Sequence, residues 1–269
     1  MKKRNALLLS FSLLFFALPQ SVQAAKKEIV KVATDSATKP FTYKVKNKAT
    51  GYDIEVLKQV FKRSKYTLKV ETVSFPSILT GIDAGRYQIA ANNFGYSKKR
   101  AKKYLFSSPI SKSPYVLATK KNKRYRKIDD LSGKTTTGMP GANYVQVLEK
   151  WNQNHPDQKP IKIHYAAGSS PLIQRLQQLE SGQLDFMFYD AISLKTAIKE
   201  HGLSLKITTL EQEDNEQRDG LSYYIFADDK KGKALQAFVN KRLRKLQKTG
   251  KLKKLSRKFF DGDFVPTSR

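Results

Sequence analysis

Residues Gln88–Arg100 read QIAANNFGYSKKR, and their order of residue types decides how the rest of the chain is placed. Ile89-Ala90-Ala91 is a short apolar run bounded by polar residues, the pattern of a buried strand end. Asn92, Asn93 and Gly95 then let the backbone turn and present bare amides. A basic segment follows and closes on Arg100. A strand feeding a polar corner and then an arginine suits a small anion, because backbone N–H groups and a guanidinium fork both match a carboxylate. The same letters also fit a surface loop with solvated lysines, so the neighbouring stretches have to choose.

Upstream, Glu28–Ala33 (EIVKVA) alternates like a strand. Gly51-Tyr52-Asp53 opens a stretch with Ile54, Leu57, Val60 and Phe61 at helical spacing, and Asp53 is a residue that can cap such a helix. Leu68–Val73 alternates again, and Phe75-Pro76 open a helix that stops at Gly85. The first half is therefore strand–helix–strand–helix–strand, which points to a mainly parallel sheet. Downstream, Tyr115–Thr119 and Thr135–Gly138 read as strands, Tyr144–Trp151 as a helix and Ile161–Tyr165 as a strand. Ser170–Glu180 is an amphipathic helix, and the apolar run Leu184–Tyr189 delivers Asp190. Leu221–Ala227 is one more strand, and the chain ends in helices either side of Gly250. Two α/β halves with a terminal return imply two lobes. The expected boundaries are 25–112 with 224–269 for lobe 1 and 113–223 for lobe 2, joined by a two-strand hinge near 111–115 and 219–223.

Met1-Lys2-Lys3-Arg4, the apolar run Ala6–Leu18 and the small residues before position 25 have the layout of a secretory signal peptide covering 1–24. Its removal takes 24 of 269 residues and leaves 245, enough for one large domain or two lobes. The chain has no cysteine, which excludes disulfides, thiolate chemistry and lipid attachment at a cysteine. The formal charge is +28, and losing Lys2, Lys3 and Arg4 takes this down by three to +25. Such a charge implies an anionic partner. The basic residues are 39 Lys and 12 Arg, which fits diffuse adhesion to a cell-wall polymer better than shape-specific reading of nucleic acid.

Catalytic and metal signatures fail. Gly133-Lys134-Thr135 would need a glycine at 128, where Ile128 stands. His155, His164 and His201 are scattered without metal-ligand spacing, and neither G-x-S-x-G nor H-E-x-x-H occurs. No cofactor, no metal and no enzymatic activity are expected.

Several segments carry a resemblance. VATDSATKPF (32–41), GYDIEV (51–56), the run from Ser74 to Pro109, DDLSGK (129–134) and SGQLDFMFYD (181–190) resemble, in collinear order, the extracellular solute-binding proteins of family 3, which serve amino-acid ABC transporters. Phe61 and Ser64 depart from the end of that family's G-[FY]-D signature. The basic, non-lipidated character resembles a group of surface proteins of Gram-positive bacteria. The resemblance implies an α/β, two-lobed, type II periplasmic-binding-protein-like fold, each lobe a mainly parallel sheet flanked by helices, that closes on an amino acid. It implies that Arg100, with amides near Gly95 and Asn143, clamps the ligand carboxylate. Asp190, helped by the Asn93 carbonyl, takes the ammonium. Phe75, Asp35, Asn92 and Gly141 line the side-chain pocket. Thr38, Asn92 and Asn93 replace commoner residues, which points to a polar amino acid, with cystine as the specific candidate. The implied partner is an ABC permease, the implied location extracellular and cell-surface associated, and the implied state a monomer. An alternative is a basic surface adhesin held on anionic wall polymer. A cyclohexadienyl-dehydratase-like enzyme of the same fold would need a distinctive catalytic acid or base in the cleft, and none is evident.

Overall fold

The computed structural model describes residues 27–167, 170–211 and 220–267. The expected signal segment and Asp219, at the edge of the second crossing, lie outside the described residues. The expected first set is present. It consists of β1 (Glu28–Thr34), a small meander of β2 (Ala37–Thr38), β3 (Thr42–Val45) and β4 (Lys48–Thr50), then α1 (Tyr52–Phe61), β5 (Tyr66–Thr72), α2 (Phe75–Asp83) and β6 (Ile89–Gly95). After β6 come the short α3 (Lys98–Ala101), β7 (Tyr104–Phe106) and β8 (Ser111–Lys112). The second set holds β9 (Tyr115–Lys120), β10 (Thr135–Gly138), α4 (Asn143–Asn154), β11 (Lys162–Tyr165), α5 (Leu172–Ser181), β12 (Met187–Asp190), α6 (Ala191–His201) and β13 (Leu205–Thr208). The return is β14 (Leu221–Ala227) followed by α7 (Lys230–Lys248) and α8 (Lys251–Phe260).

The first sheet runs β5-β1-β6-β14-β7. The pairs β1–β5 and β1–β6 are parallel, as helical crossovers require. The returning β14 enters antiparallel to β6 and β7. In the second set β10 and β11 pair in parallel, but β9 lies antiparallel between β12 and β13, so this set is mixed and not the mainly parallel sheet expected for it. That strand arrives directly from the crossing rather than through a helix, so its direction is set by entry.

Apolar burial divides along the same lines. One core joins β9, α4, α5 and β12 through residues such as Leu117, Leu148, Leu176 and Phe188. The other joins β1, α1, β6, β14 and α7 through Val32, Leu57, Ile89, Phe226 and Val239, and on the same side a smaller cluster joins α2, β6 and β14 through Ile78, Ile82, Phe94 and Ile225. Between them run the two crossings, bonded to each other. Lys112 and Ser111 pair with Leu221 and Ser222, the Ser111 and Ser222 hydroxyls lie 2.6 Å apart, and Ser113 N–H donates to the Gly220 carbonyl at 2.8 Å.

Asp53 does not cap α1. Gly51 holds that place with φ 113, where an added Cβ would fall 2.2 Å from the Phe41 carbonyl oxygen. The Asp53 carboxylate instead turns inward and is fully buried.

Candidate functional site

Sequence order alone brings Arg100 to the cleft. β6 ends at Gly95, and Ser97 caps α3 by accepting the Arg100 N–H at 3.2 Å. The guanidinium is then carried over the Phe94 ring, 5.1 Å from its centroid, and is only 7 % exposed. Phe94 stacks on Phe75 with centroids 5.5 Å apart. Phe75 packs against the second-set core and against the smaller cluster of Ile78, Ile82 and Phe94 on the first-set side, so it forms a wall shared by the two sides.

The fork of Arg100 reaches across. Nη1 donates to the Gly95 carbonyl at 3.0 Å and to Asn143 Oδ1, while Nη2 donates to the Gly141 carbonyl at 2.9 Å. Asn143 is the first residue of α4, and its Nδ2 returns a bond to the Tyr96 carbonyl at 2.7 Å. Burial pulls the Arg100 pKa down to about 10, which leaves it charged at neutral pH. Gly95 is needed for this approach, since a Cβ there would lie 3.0 Å from Asn143 Nδ2.

Asp190 stands where β12 turns into α6. Its Oδ1 accepts the Ser193 N–H at 2.9 Å, which caps the helix, and the Ser113 hydroxyl at 2.9 Å. Ser113 also accepts the Ile192 N–H at 3.0 Å, so the crossing segment and the acid are tied together. Burial raises the Asp190 pKa against these hydrogen bonds, which lower it. Nearby, Asn93 adopts φ 48, a left-handed conformation that Asn tolerates better than most residues. Its N–H donates to Asp53 Oδ2 at 2.7 Å. Burial, with Asp35 and Asp190 adding repulsion, pushes the Asp53 pKa up to about 7.

Asp35 and Asn92 form a closed network beside these groups. Asn92 Oδ1 accepts from Thr34 Oγ1, Asp35 N and Thr42 Oγ1, and its Nδ2 donates to Asp35 Oδ2 and Thr38 Oγ1. Asp35 in turn accepts from Ala37 N, Thr38 and Thr42. Both residues wall the cavity, yet their hydrogen-bonding capacity is largely spent on each other and on the β2–β3 loop.

Of the residues anticipated for binding, Asp35, Phe75, Asn92, Asn93, Gly95, Arg100, Asn143 and Asp190 line one cavity between the two cores. Gly141 does not line it. Its carbonyl is turned to Arg100 and to Gln146 Nε2, because φ 76 swings it to that side. Gly141 therefore belongs to the arginine's surroundings and not to a side-chain wall. The Gly95 carbonyl likewise accepts from Arg100.

Sequence reasoning missed Tyr115, Tyr144, Tyr189 and Arg175, which also line the cavity. Arg175 left a readable signal. It falls among Leu172, Leu176 and Leu179 on the buried stripe of α5, where a solvated arginine has no place. Among the described residues no group of three His, Asp or Glu could hold a metal, and no helix is long and apolar enough to cross a membrane. The arrangement offers a buried cation, a buried acid and an aromatic wall, which suits a zwitterion.

A mixed α/β chain with two cores, paired crossings and a charged cleft between them is a type II periplasmic-binding-protein-like solute-binding protein. The chain belongs to the bacterial extracellular solute-binding proteins, family 3, whose model matches residues 30–262. The L-cystine-binding protein TcyJ of Bacillus subtilis (strain 168) is 29% identical over 280 residues, covering 100% of this chain and 99% of that protein. A solved structure from work on glutathione import in Gram-positive bacteria via GshT and the cystine ABC importer TcyBC of Streptococcus mutans superposes with a TM-score of 0.83. It is 40% identical and covers 90% of this chain and 98% of that chain. A putative L-cystine ABC transporter structure from Listeria monocytogenes has a TM-score of 0.78 at 25% identity, covering 89% of this chain and 98% of that chain. The family resemblance and fold expected from the sequence are thus borne out.

Proposed function

We propose that this chain is the extracellular receptor of an amino-acid ABC importer, capturing a polar amino acid, with cystine as the specific candidate, and handing it to a membrane permease. The observation that carries this reading is the convergence of Arg100 and Asp190 on one cavity from two separately cored halves. Arg100 clamps the ligand carboxylate with the Gly95–Asn143 corner, and Asp190 with the Asn93 carbonyl receives the ammonium. Phe75 forms the aromatic wall, and Asp35 and Asn92 shape the distal end. Lobe 1 comprises 25–112 and 224–269, lobe 2 comprises 113–223, and both crossings act as the hinge. Closure gives the ligand contacts with both lobes at once, so binding shifts the population toward the closed form. The relatives named for cystine binding support the ligand, and the one named for glutathione import adds glutathione to the panel.

The function is binding without catalysis, by a monomer. The mature protein is held at the cell surface by its charge rather than by lipid. The adhesin alternative is not carried forward as the function, because the relatives that match are amino-acid-binding proteins. The wall-polymer tether keeps its own test: concentrated salt releases the protein from intact cells, because salt screens exposed charge, and retention in salt refutes the tether. Calorimetry against free amino acids, cystine and glutathione tests the receptor reading, and heat from none of them refutes it.

A further inference from the structure

Arg175 is a buried cation with no carboxylate counter-ion among the described residues. It is 2 % exposed, and its Nη1 donates to the Tyr144 hydroxyl at 3.2 Å. Its guanidinium lies 5.4 Å from the Tyr189 ring centroid, and Nε is buried without a hydrogen-bond acceptor. The groups that stabilise its charge are the tyrosines Tyr144 and Tyr189, and among the described residues no carboxylate pairs with it. Burying a guanidinium without a carboxylate is costly, and the two tyrosines hold its pKa up against that burial. Arg175 lines the cavity together with Tyr144 and Tyr189.

Its position relative to Arg100 gives the chemistry. Tyr115 packs edge-on to Tyr144 at 6.3 Å, and Tyr144 to Tyr189 at 4.7 Å. The Tyr115 hydroxyl borders the Arg100 end, 3.5 Å from where a Cβ on Gly95 would lie. A row of three tyrosines thus separates two buried arginines in one cavity. Met139 N–H also donates to the Tyr144 oxygen at 2.9 Å, so that phenol accepts two bonds and its own proton is left for a third partner. The Asp35 carboxylate is engaged by Asn92, Thr38, Thr42 and the Ala37 N–H.

We infer that Arg175 is a specificity-determining residue that receives a second carboxylate of the ligand, remote from the α-carboxylate held by Arg100, with the Tyr144 hydroxyl donating alongside it. The inference rests on the amino-acid reading above and narrows it to an α-amino acid extended by a distal carboxylate. A disulfide-linked amino acid such as cystine and a γ-linked peptide such as glutathione share that chemistry.

The test uses the mature wild-type protein and matched ligands in calorimetry. The probes are L-cystine and its monoamide, glutathione and its glycinamide analogue, and L-glutamine as a zwitterion without a second carboxylate. The expected result is that one acid binds and that amidation of its distal carboxylate weakens it at least thirtyfold. In Arg175→Gln the acid and its amide bind within threefold of each other, and Arg175→Lys restores part of the difference. The acid–amide comparison needs no substitution, so it stands even where Arg175→Gln fails to fold. Equal binding of acid and amide by the wild type overturns the inference, as does L-glutamine binding as tightly as either acid, and both leave the amino-acid reading standing. Heat from none of the probes overturns both.

Discussion

Replacing Arg100 by alanine should abolish ligand capture while leaving the fold. In the structure the guanidinium makes one bond within its own side, to the Gly95 carbonyl, and two across the cleft, to Asn143 Oδ1 and the Gly141 carbonyl. A hydrogen bond to a charged group contributes about 1.5–3 kcal/mol. Losing the two cross-cleft bonds therefore removes about 3 kcal/mol or more from the closed form, roughly a 150-fold weakening of affinity, before the ligand carboxylate is counted. The Gly141 carbonyl keeps Gln146 as a donor and the Phe94–Phe75 stack keeps its own contact, so the native state should still melt cooperatively. Arg100→Lys retains the charge but not the fork, and should fall between, at about tenfold weaker binding. The assay is titration calorimetry with cystine and glutathione, paired with thermal unfolding of each variant. Wild-type affinity in a cooperatively folded Arg100→Ala would refute both the clamp and the closure argument.

Two further outcomes follow from the same geometry. Asp53 is fully buried with its pKa at about 7, above the roughly 3.9 of an unfolded aspartate, so the folded state holds the extra proton. Stability should therefore fall as pH rises from about 4 to about 7, by up to about 1.4 kcal/mol per unit from this group; urea unfolding at pH 5 and pH 8 should show it, Asp53→Asn should flatten it, and a stability that climbs over this range would refute it. Gly95→Ala places a methyl 3.0 Å from Asn143 Nδ2 and 3.5 Å from the Tyr115 hydroxyl, an overpacking worth about 1–3 kcal/mol that should appear as weaker ligand affinity with little change in melting temperature; unchanged affinity would show that these groups need not meet on closure.

The pattern of alternating and helical apolar spacing was enough to lay out both α/β sets, because burial on one face imposes a period on the sequence wherever the element is long. Short elements such as β7, β8 and β13 carry too few residues to show a period, and they surfaced only in the fold. Arg100 was legible because it follows a strand and a polar corner, and Asp190 because an apolar run delivers it at a strand end, while their ligand roles were implied by the family resemblance. Asp53 misled: an acid in the first turn of a helix reads as a cap, and only the packing of β6 against α1 shows that it serves the Asn93 amide instead. Asn92 and Asp35 were legible as polar wall residues, but their mutual satisfaction is a contact over 57 positions of chain. Arg175 carried its signal on the stripe of α5, yet its partner tyrosines come from α4 and β12. The sequence by itself determined the class of fold and the export-like charge and leader pattern, and through the family resemblance it singled out Arg100 and Asp190, because local periodicity, turn chemistry and motif order are written in neighbouring residues. Only the tertiary structure decided which polar groups are spent on one another and which face the cleft, because hydrogen-bond satisfaction of a buried group depends on residues that the chain brings together from far apart.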